Sequence, residues 1–283
     1  MSSAVLSADP AIACAVCGAG GLTEVRREAG GHALLGCPRC RVWSVFPPPS
    51  GSEIEHFYNA PYYEAWRRER GARERMWRRR LRLLDGLDRG RLLDVGCAEG
   101  DFLLAAREAG FEIEGTELSG HAAAEASAVT GALVHQGNLG DACLPAASFD
   151  VVTIWHVLEH ILVPGDTLRE ARRLLVPGGR LLVAVPNRWN TLFSAFYRIA
   201  RGRPLHLYDP GDREQHLHHW DPASLRAALE KHGFSVEWLR PDPCALGAAK
   251  QAVEIAGKVH SCLAGEPRTS AMVARARATE GRA

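Results

Sequence analysis

Four cysteines near the start of the chain, Cys14, Cys17, Cys37 and Cys40, form two CxxC pairs with 19 residues between them. Each pair sets two thiolates on one side of a tight turn, and two such turns complete a tetrahedron around zinc. Gly18 and Pro38 suit those turns. Four thiolates leave no open coordination position, so the expected metal is structural rather than catalytic. A second group is the run LLDVGCAEG from Leu92 to Gly100, where Gly96, Cys97, Ala98 and Gly100 make a turn of small residues. Such a turn lets backbone approach a ligand closely, and Asp94 is placed to shape it. A third is His156, Glu159 and His160, which share a face if the segment is helical. They could serve as base and orienter, or hold a divalent metal. His216, His218 and His219 stand beside Trp220, where the plainer reading is a polar surface loop.

These residues need elements to hold them. Expected strands are Arg91–Val95, Ile113–Leu118, Ala132–Gln136, Asp150–Trp155, Arg180–Val185, Phe234–Leu239 and, on a weaker pattern, Ala271–Arg275. Expected helices are Asp101–Ala109, Ser119–Thr130, Pro164–Leu175, Trp189–Ala200, Pro222–His232 and Ala245–Leu263. Asp221 is a good N-cap with Pro222 in the first helical turn. Strands alternating with helices of this length predict an α/β fold, a mostly parallel sheet with helices on both faces. Ligands of such sheets bind beyond the carboxyl ends of the strands. Glu117 ends the second strand there, where a carboxylate can accept both hydroxyls of a ribose. The dinucleotide pattern GxGxxG is absent, because the turn reads Gly96-x-Ala98-x-Gly100.

With 46% hydrophobic and 24% charged residues and a formal net charge of +1, the chain reads as globular, with no global field to attract nucleic acid. No apolar run reaches the roughly 20 residues of a membrane span. The first residues lack the basic and apolar regions of a signal peptide, so a cytoplasmic location is expected. In that compartment Cys97, Cys143, Cys244 and Cys262 are expected to be free and mostly buried thiols. Pro47-Pro48-Pro49-Ser50-Gly51 marks a boundary. The expected organisation is a zinc ribbon over 1–47, a helical linker or cap over 48–88, and the main domain over 89–283.

The run LLDVGCAEG resembles the first motif of class I S-adenosylmethionine-dependent methyltransferases. GTELS (Gly115 to Ser119) resembles their acidic second motif, and the stretches 137–155, 156–187 and 216–234 follow in the family's order. The likeness covers roughly residues 90 to 240. It implies a Rossmann-like seven-stranded sheet, here preceded by the zinc ribbon, and S-adenosylmethionine as cofactor. It further implies contacts from Tyr63, Asp94, Gly96, Cys97, Ala98, Gly100, Glu117, Leu118, Asn138, Leu139 and Trp155. Ala98 replaces the usual middle glycine, and Asn138 stands where many relatives carry an acid facing the adenine.

The portion VLEH (Val157 to His160) resembles ubiquinone-biosynthetic O-methyltransferases, in which an acid tends to occupy the position of His156. The resemblance implies methylation of a small molecule, at oxygen in the first instance, with His156, Glu159, His160 and His216 as catalytic candidates. The absence of an NPPY-like motif argues against methylation of DNA bases. The alternative is an RNA methyltransferase that binds phosphates through the ribbon and the arginines from Arg67 to Arg82, although glutamates interleave with them. A third possibility is a binding module that keeps the fold without the activity. Trp189, Leu192, Phe193, Phe196 and Ile199 have helical apolar spacing and would wall an acceptor pocket or belong to the core. The flanking Arg188, Arg198, Arg201 and Arg203 leave contact with a membrane surface as a minor expectation.

Overall fold

A computed structural model describes residues 12–58, 63, 70–189, 191–202, 205–212, 214–242 and 248–279. Near the N-terminus β1 (Thr23–Arg27), β2 (Ala33–Gly36) and β3 (Trp43–Phe46) form antiparallel pairs, and β3 also pairs with the two-residue β9 (His218–His219). The larger sheet has seven strands. These are β4 (Arg91–Val95), β5 (Glu112–Glu117), β6 (Leu133–Gln136), β7 (Phe149–Trp155), β8 (Leu175–Pro186), β10 (Phe234–Pro241) and β11 (Ala271–Ala278). Their order is β10-β11-β8-β7-β4-β5-β6, with β4 parallel to both β5 and β7. Strand order therefore turns back at the β4 and β7 pair, the position at which sheets of this kind bind ligands beyond their strand ends.

Among the described residues the helices are α1 (Gly51–Phe57), α2 (Arg70–Leu81), α3 (Asp101–Glu108), α4 (Gly120–Thr130), α5 (Pro164–Leu174), α6 (Thr191–Arg201), α7 (Pro222–Lys231) and α8 (Ala248–Ala264). Strand and helix positions in the larger sheet agree with the sequence expectations to within a few residues, except that β8 starts earlier. The reason is hydrophobic continuity: Leu181 to Val185 and Val151 to Ile154 are almost wholly buried, as strands covered on both faces must be. Phe102, Leu103 and Ala106 give α3 one apolar face. Asp221 caps α7 by accepting from the Ser224 amide at 2.7 Å, and its other oxygen holds the Arg188 guanidinium.

The chain divides into two compact units, one of residues 1–48, 156–168 and 184–275, the other of 49–155, 169–183 and 276–283. The cysteine ribbon and the histidines belong to the first. The glycine turn after β4 and Glu117 belong to the second.

Candidate functional site

In the second unit, β4 delivers the chain into a turn whose backbone is left-handed at Gly96 (φ 70°), Ala98 (φ 50°) and Gly100 (φ 83°). Glycine adopts this conformation freely, and an alanine does so at a cost of roughly 1 kcal/mol. At Ala98 that cost is offset by its amide, which donates to Glu117 Oε2 at 2.9 Å. A β-carbon on Gly100 would sit 3.1 Å from the Ala126 backbone, so a side chain here would crowd α4 as well as strain the left-handed turn. Glu117 Oε1 accepts from the Ser119 amide and from the Tyr63 hydroxyl, each at 2.9 Å. The carboxylate is thus oriented by three donors at a strand end, and a ribose hydroxyl is the kind of donor it already holds in Tyr63. Burial pushes the Glu117 carboxyl above its ordinary range, and these donors work against that shift.

Beneath the turn Asp94 is buried and accepts from the Thr153 hydroxyl at 2.6 Å. Arg80 is also buried, its guanidinium 4.9 Å from the ring centres of both Trp77 and Trp155. Trp155 stands edge-on to Phe102, with ring centres 5.2 Å apart. Burial raises Asp94 to about 7, against the Thr153 bond and the Arg80 charge, which lower it. The folded state therefore keeps a proton that the unfolded chain gives up near 3.8, and stability falls as pH rises from about 4 to 7. Asp94→Asn should raise unfolding stability at pH 8 by on the order of 2 kcal/mol and leave it nearly unchanged at pH 4. Denaturant titrations at the two pH values check this; equal effects at both would remove Asp94 as the cause.

Of the other residues expected to line a cofactor, Cys97 and Leu139 are buried, Leu118 is half-buried and Asn138 is exposed. The amide and side-chain nitrogen of Asn138 both donate to Asp141 Oδ2, at 2.9 and 3.2 Å. The acid of this loop thus lies three residues after Asn138, a placement the sequence reading did not weigh.

In the first unit His156 adopts a left-handed backbone (φ 56°), and its amide donates to the Ala184 carbonyl at 2.9 Å. A β-carbon in that region is strained, and such strain gathers at functional positions. His156 Nδ1 lies 3.4 Å from Glu159 Oε1 and its Nε2 lies 3.5 Å from Asp242 Oδ2. His160 Nε2 is 3.9 Å from the same Glu159 oxygen, and its Nδ1 is 2.8 Å from the Gln215 carbonyl. The His160 and His216 rings lie 4.9 Å apart between centres. Glu159 is fully buried. Burial works to raise its carboxyl, but the His156 contact and the charges of His160, His156 and His216 outweigh it and hold the group at about 2. The segment forms a bend and a turn rather than the helix that would set all three on one face, and Glu159 Oε1 nevertheless lies within 4 Å of both imidazoles. Glu159, His160 and His216 offer ligand-type atoms within 4.8 Å of one another, whereas the set expected from spacing was His156, Glu159 and His160.

The remaining histidines correct the surface-loop expectation. His218 and His219 are buried in β9; His218 Nδ1 lies 2.9 Å from the Ser44 hydroxyl and its Nε2 2.9 Å from the Ile161 carbonyl. Burial lowers His218 to about 4, against the pull of the Ile161 and Leu162 carbonyls. Their role is to hold strand β3, which a single sequence conceals because the pairing spans about 175 residues.

Cys14, Cys17, Cys37 and Cys40 converge, with all four sulfur atoms within 4.8 Å of one another. Cys14 and Cys40 are 3.6 Å apart, and Cys17 and Cys37 3.5 Å. A tetrahedral ion with bonds of about 2.3 Å needs sulfurs roughly 3.8 Å apart, so the group has the dimensions to hold one. Of the scattered cysteines, Cys97 is buried as expected, but Cys143 and Cys262 are exposed, and Cys244 lies outside the described residues. Ile199 is exposed, so it does not join the core; the side chains of Leu192, Phe193 and Phe196 lie outside the described residues.

A family model described as a methyltransferase domain matches residues 65–238. The chain belongs to this methyltransferase family. It is 33% identical over 151 residues to a Mycolicibacterium smegmatis protein named "Probable S-adenosylmethionine-dependent methyltransferase", covering 52% of each chain. It is also 33% identical over 158 residues to the ubiquinone biosynthesis O-methyltransferase of Caulobacter sp. strain K31, covering 49% of this chain and 57% of the relative. The chain thus spans about half the length of the curated relatives it matches. Among solved structures, a SAM-dependent methyltransferase from Thermotoga maritima superposes with a TM-score of 0.55 at 19% identity, over 81% of this chain and all of the other. This likeness supports the Rossmann-like fold of the family member described above.

Proposed function

We propose that this family member transfers a methyl group from S-adenosylmethionine to a small-molecule acceptor, at oxygen, and that its four cysteines hold a structural zinc ion. The carrying observation is Glu117, a buried carboxylate oriented by three donors beside a left-handed small-residue turn. The names of the ubiquinone-biosynthetic relatives support oxygen as the acceptor atom. Asp94, Gly96, Cys97, Ala98, Gly100, Glu117, Leu118, Asn138, Leu139 and Trp155 would hold the cofactor, and Tyr63, within the proposed cap of residues 48–88, would tie that cap to Glu117. The cofactor supplies an electrophilic methyl group on a sulfonium. The chain's contribution is positioning and proton removal. In this reading His156 takes the acceptor's proton, Glu159 and its partner His160 stabilise the imidazolium, and His216 completes the group. The thiolates of the ribbon fit a reducing compartment, which makes the cytoplasm the proposed location.

Among the described arginines of the segment proposed for RNA, Arg73 pairs with Asp101 and Arg80 is buried among tryptophans, so neither is free for phosphate, whereas Arg75, Arg78, Arg79 and Arg82 are exposed; Arg67, Arg68 and the side chain of Arg70 lie outside the described residues. A methyl-transfer screen of phenols, sugars and RNA with radiolabelled cofactor tests the assignment. With the acceptor so found, His156→Ala should lower kcat by roughly 10²–10⁴-fold, and His160→Ala by less, with cofactor affinity nearly unchanged. Full turnover in both variants would move the base elsewhere; transfer to RNA alone would reverse the choice of acceptor.

A further inference from the structure

Two helices of the first unit carry a concentration of apolar side chains that none of the described residues covers. On α8, Ile255, Val259 and Leu263 recur every fourth residue and are 63%, 59% and 84% exposed. On α6, which packs against α8, Ile199 is 83% exposed. Side chains four apart on a helix lie along one stripe. A fully exposed Leu or Ile is ordinary when single, but a stripe continued on a neighbouring helix marks a contact surface.

The charges flanking this stripe share one sign. Arg198 and Arg201 on α6 and Lys258 on α8 are exposed. The described part of α6 contains no acid, and the one acid of α8, Glu254, is buried, its carboxylate accepting from the Ser270 amide at 3.1 Å. Glu266, beyond the end of α8, is engaged by Arg268 at 3.7 Å. A second copy of the chain placed on this face would bring arginines and lysines against their own kind. An anionic lipid surface would accept the aliphatic stripe among its acyl chains and meet the cations with phosphate, the arrangement of helices that lie in a bilayer interface. None of the described helices is long and apolar enough to cross a membrane, so the contact is peripheral.

We infer that α6 and α8 form a docking face for an anionic phospholipid bilayer, with Ile199, Ile255, Val259 and Leu263 inserted and Arg198, Arg201 and Lys258 on the headgroups. The inference stands apart from the identity of the methyl acceptor. Flotation of the full chain with vesicles tests it. Binding to vesicles containing phosphatidylglycerol is expected, at least about tenfold stronger than to pure phosphatidylcholine and weakened by salt. Ile255→Ser/Val259→Ser/Leu263→Ser should abolish binding, and Arg198→Gln/Arg201→Gln/Lys258→Gln should remove the preference for the anionic lipid. Because all six side chains are exposed, circular dichroism should stay unchanged. No flotation with anionic vesicles would overturn the proposal. So would binding that survives the serine variant, or a dimer in sedimentation that this variant converts to monomer.

Discussion

Replacing Cys14 and Cys37 with serine is expected to lower the thermal midpoint of unfolding by at least about 10 °C and to remove about one equivalent of zinc per chain. Structural zinc sites contribute folding free energy directly, on the order of 10 kcal/mol in isolated zinc-binding peptides. Here the ribbon also anchors its surroundings. The Gly165 amide at the start of α5 donates to the Ala15 carbonyl at 3.2 Å, and His232 Nε2 lies 2.7 Å from the Val16 carbonyl. A β-carbon at Gly165 would lie 2.5 Å from the Val16 carbonyl oxygen, so this contact is made backbone to backbone. Strand β3 extends the ribbon to β9, and the amides of Leu217 and His218 donate to the Glu159 carbonyl at 2.8 and 3.1 Å. Loss of the metal should therefore loosen the peptide that carries Glu159, within the same unit. Elemental analysis and calorimetry on freshly purified protein check both parts. A wild-type chain without zinc, or a double variant with an unchanged midpoint, would refute the metal assignment.

Glu117→Ala should weaken S-adenosylmethionine binding by at least roughly 100-fold. Two charge-assisted hydrogen bonds to a ribose are together worth about 3 kcal/mol or more. The same change removes the acceptor that holds the left-handed Ala98 amide and the Tyr63 hydroxyl, so the turn itself should relax. Glu117→Gln retains one acceptor oxygen and should lose closer to tenfold. Isothermal titration with S-adenosylmethionine and with S-adenosylhomocysteine separates the two variants. If Glu117→Ala binds as tightly as wild type while its fold is intact, the cradle after β4 is not the cofactor's seat.

Much of this arrangement is legible in single residues. The order of strands and helices from Arg91 onward follows from hydrophobic runs and caps, because a parallel strand buried on both faces must be apolar throughout. The four cysteines advertise themselves by spacing, and Glu117 by its place at a strand end. Asp242 carries no such signal. It follows β10, 83 residues after Glu159, and joins His156 only through folding. Arg80 reads from sequence as one more solvated arginine of a basic helix, yet it lies between two indoles near Asp94.

The sequence alone determined the family, the main sheet and the cysteine spacing, and it singled out Asp94, Glu117 and Glu159 as candidates, since each depends on local pattern or motif order. Tertiary structure decided which histidines meet Glu159 and which merely brace β3. It also decided that Arg80 is buried, and that Ile199 joins an exposed stripe on α8. Those outcomes depend on contacts between distant segments, where burial and charge are properties of the packed chain rather than of any window within it.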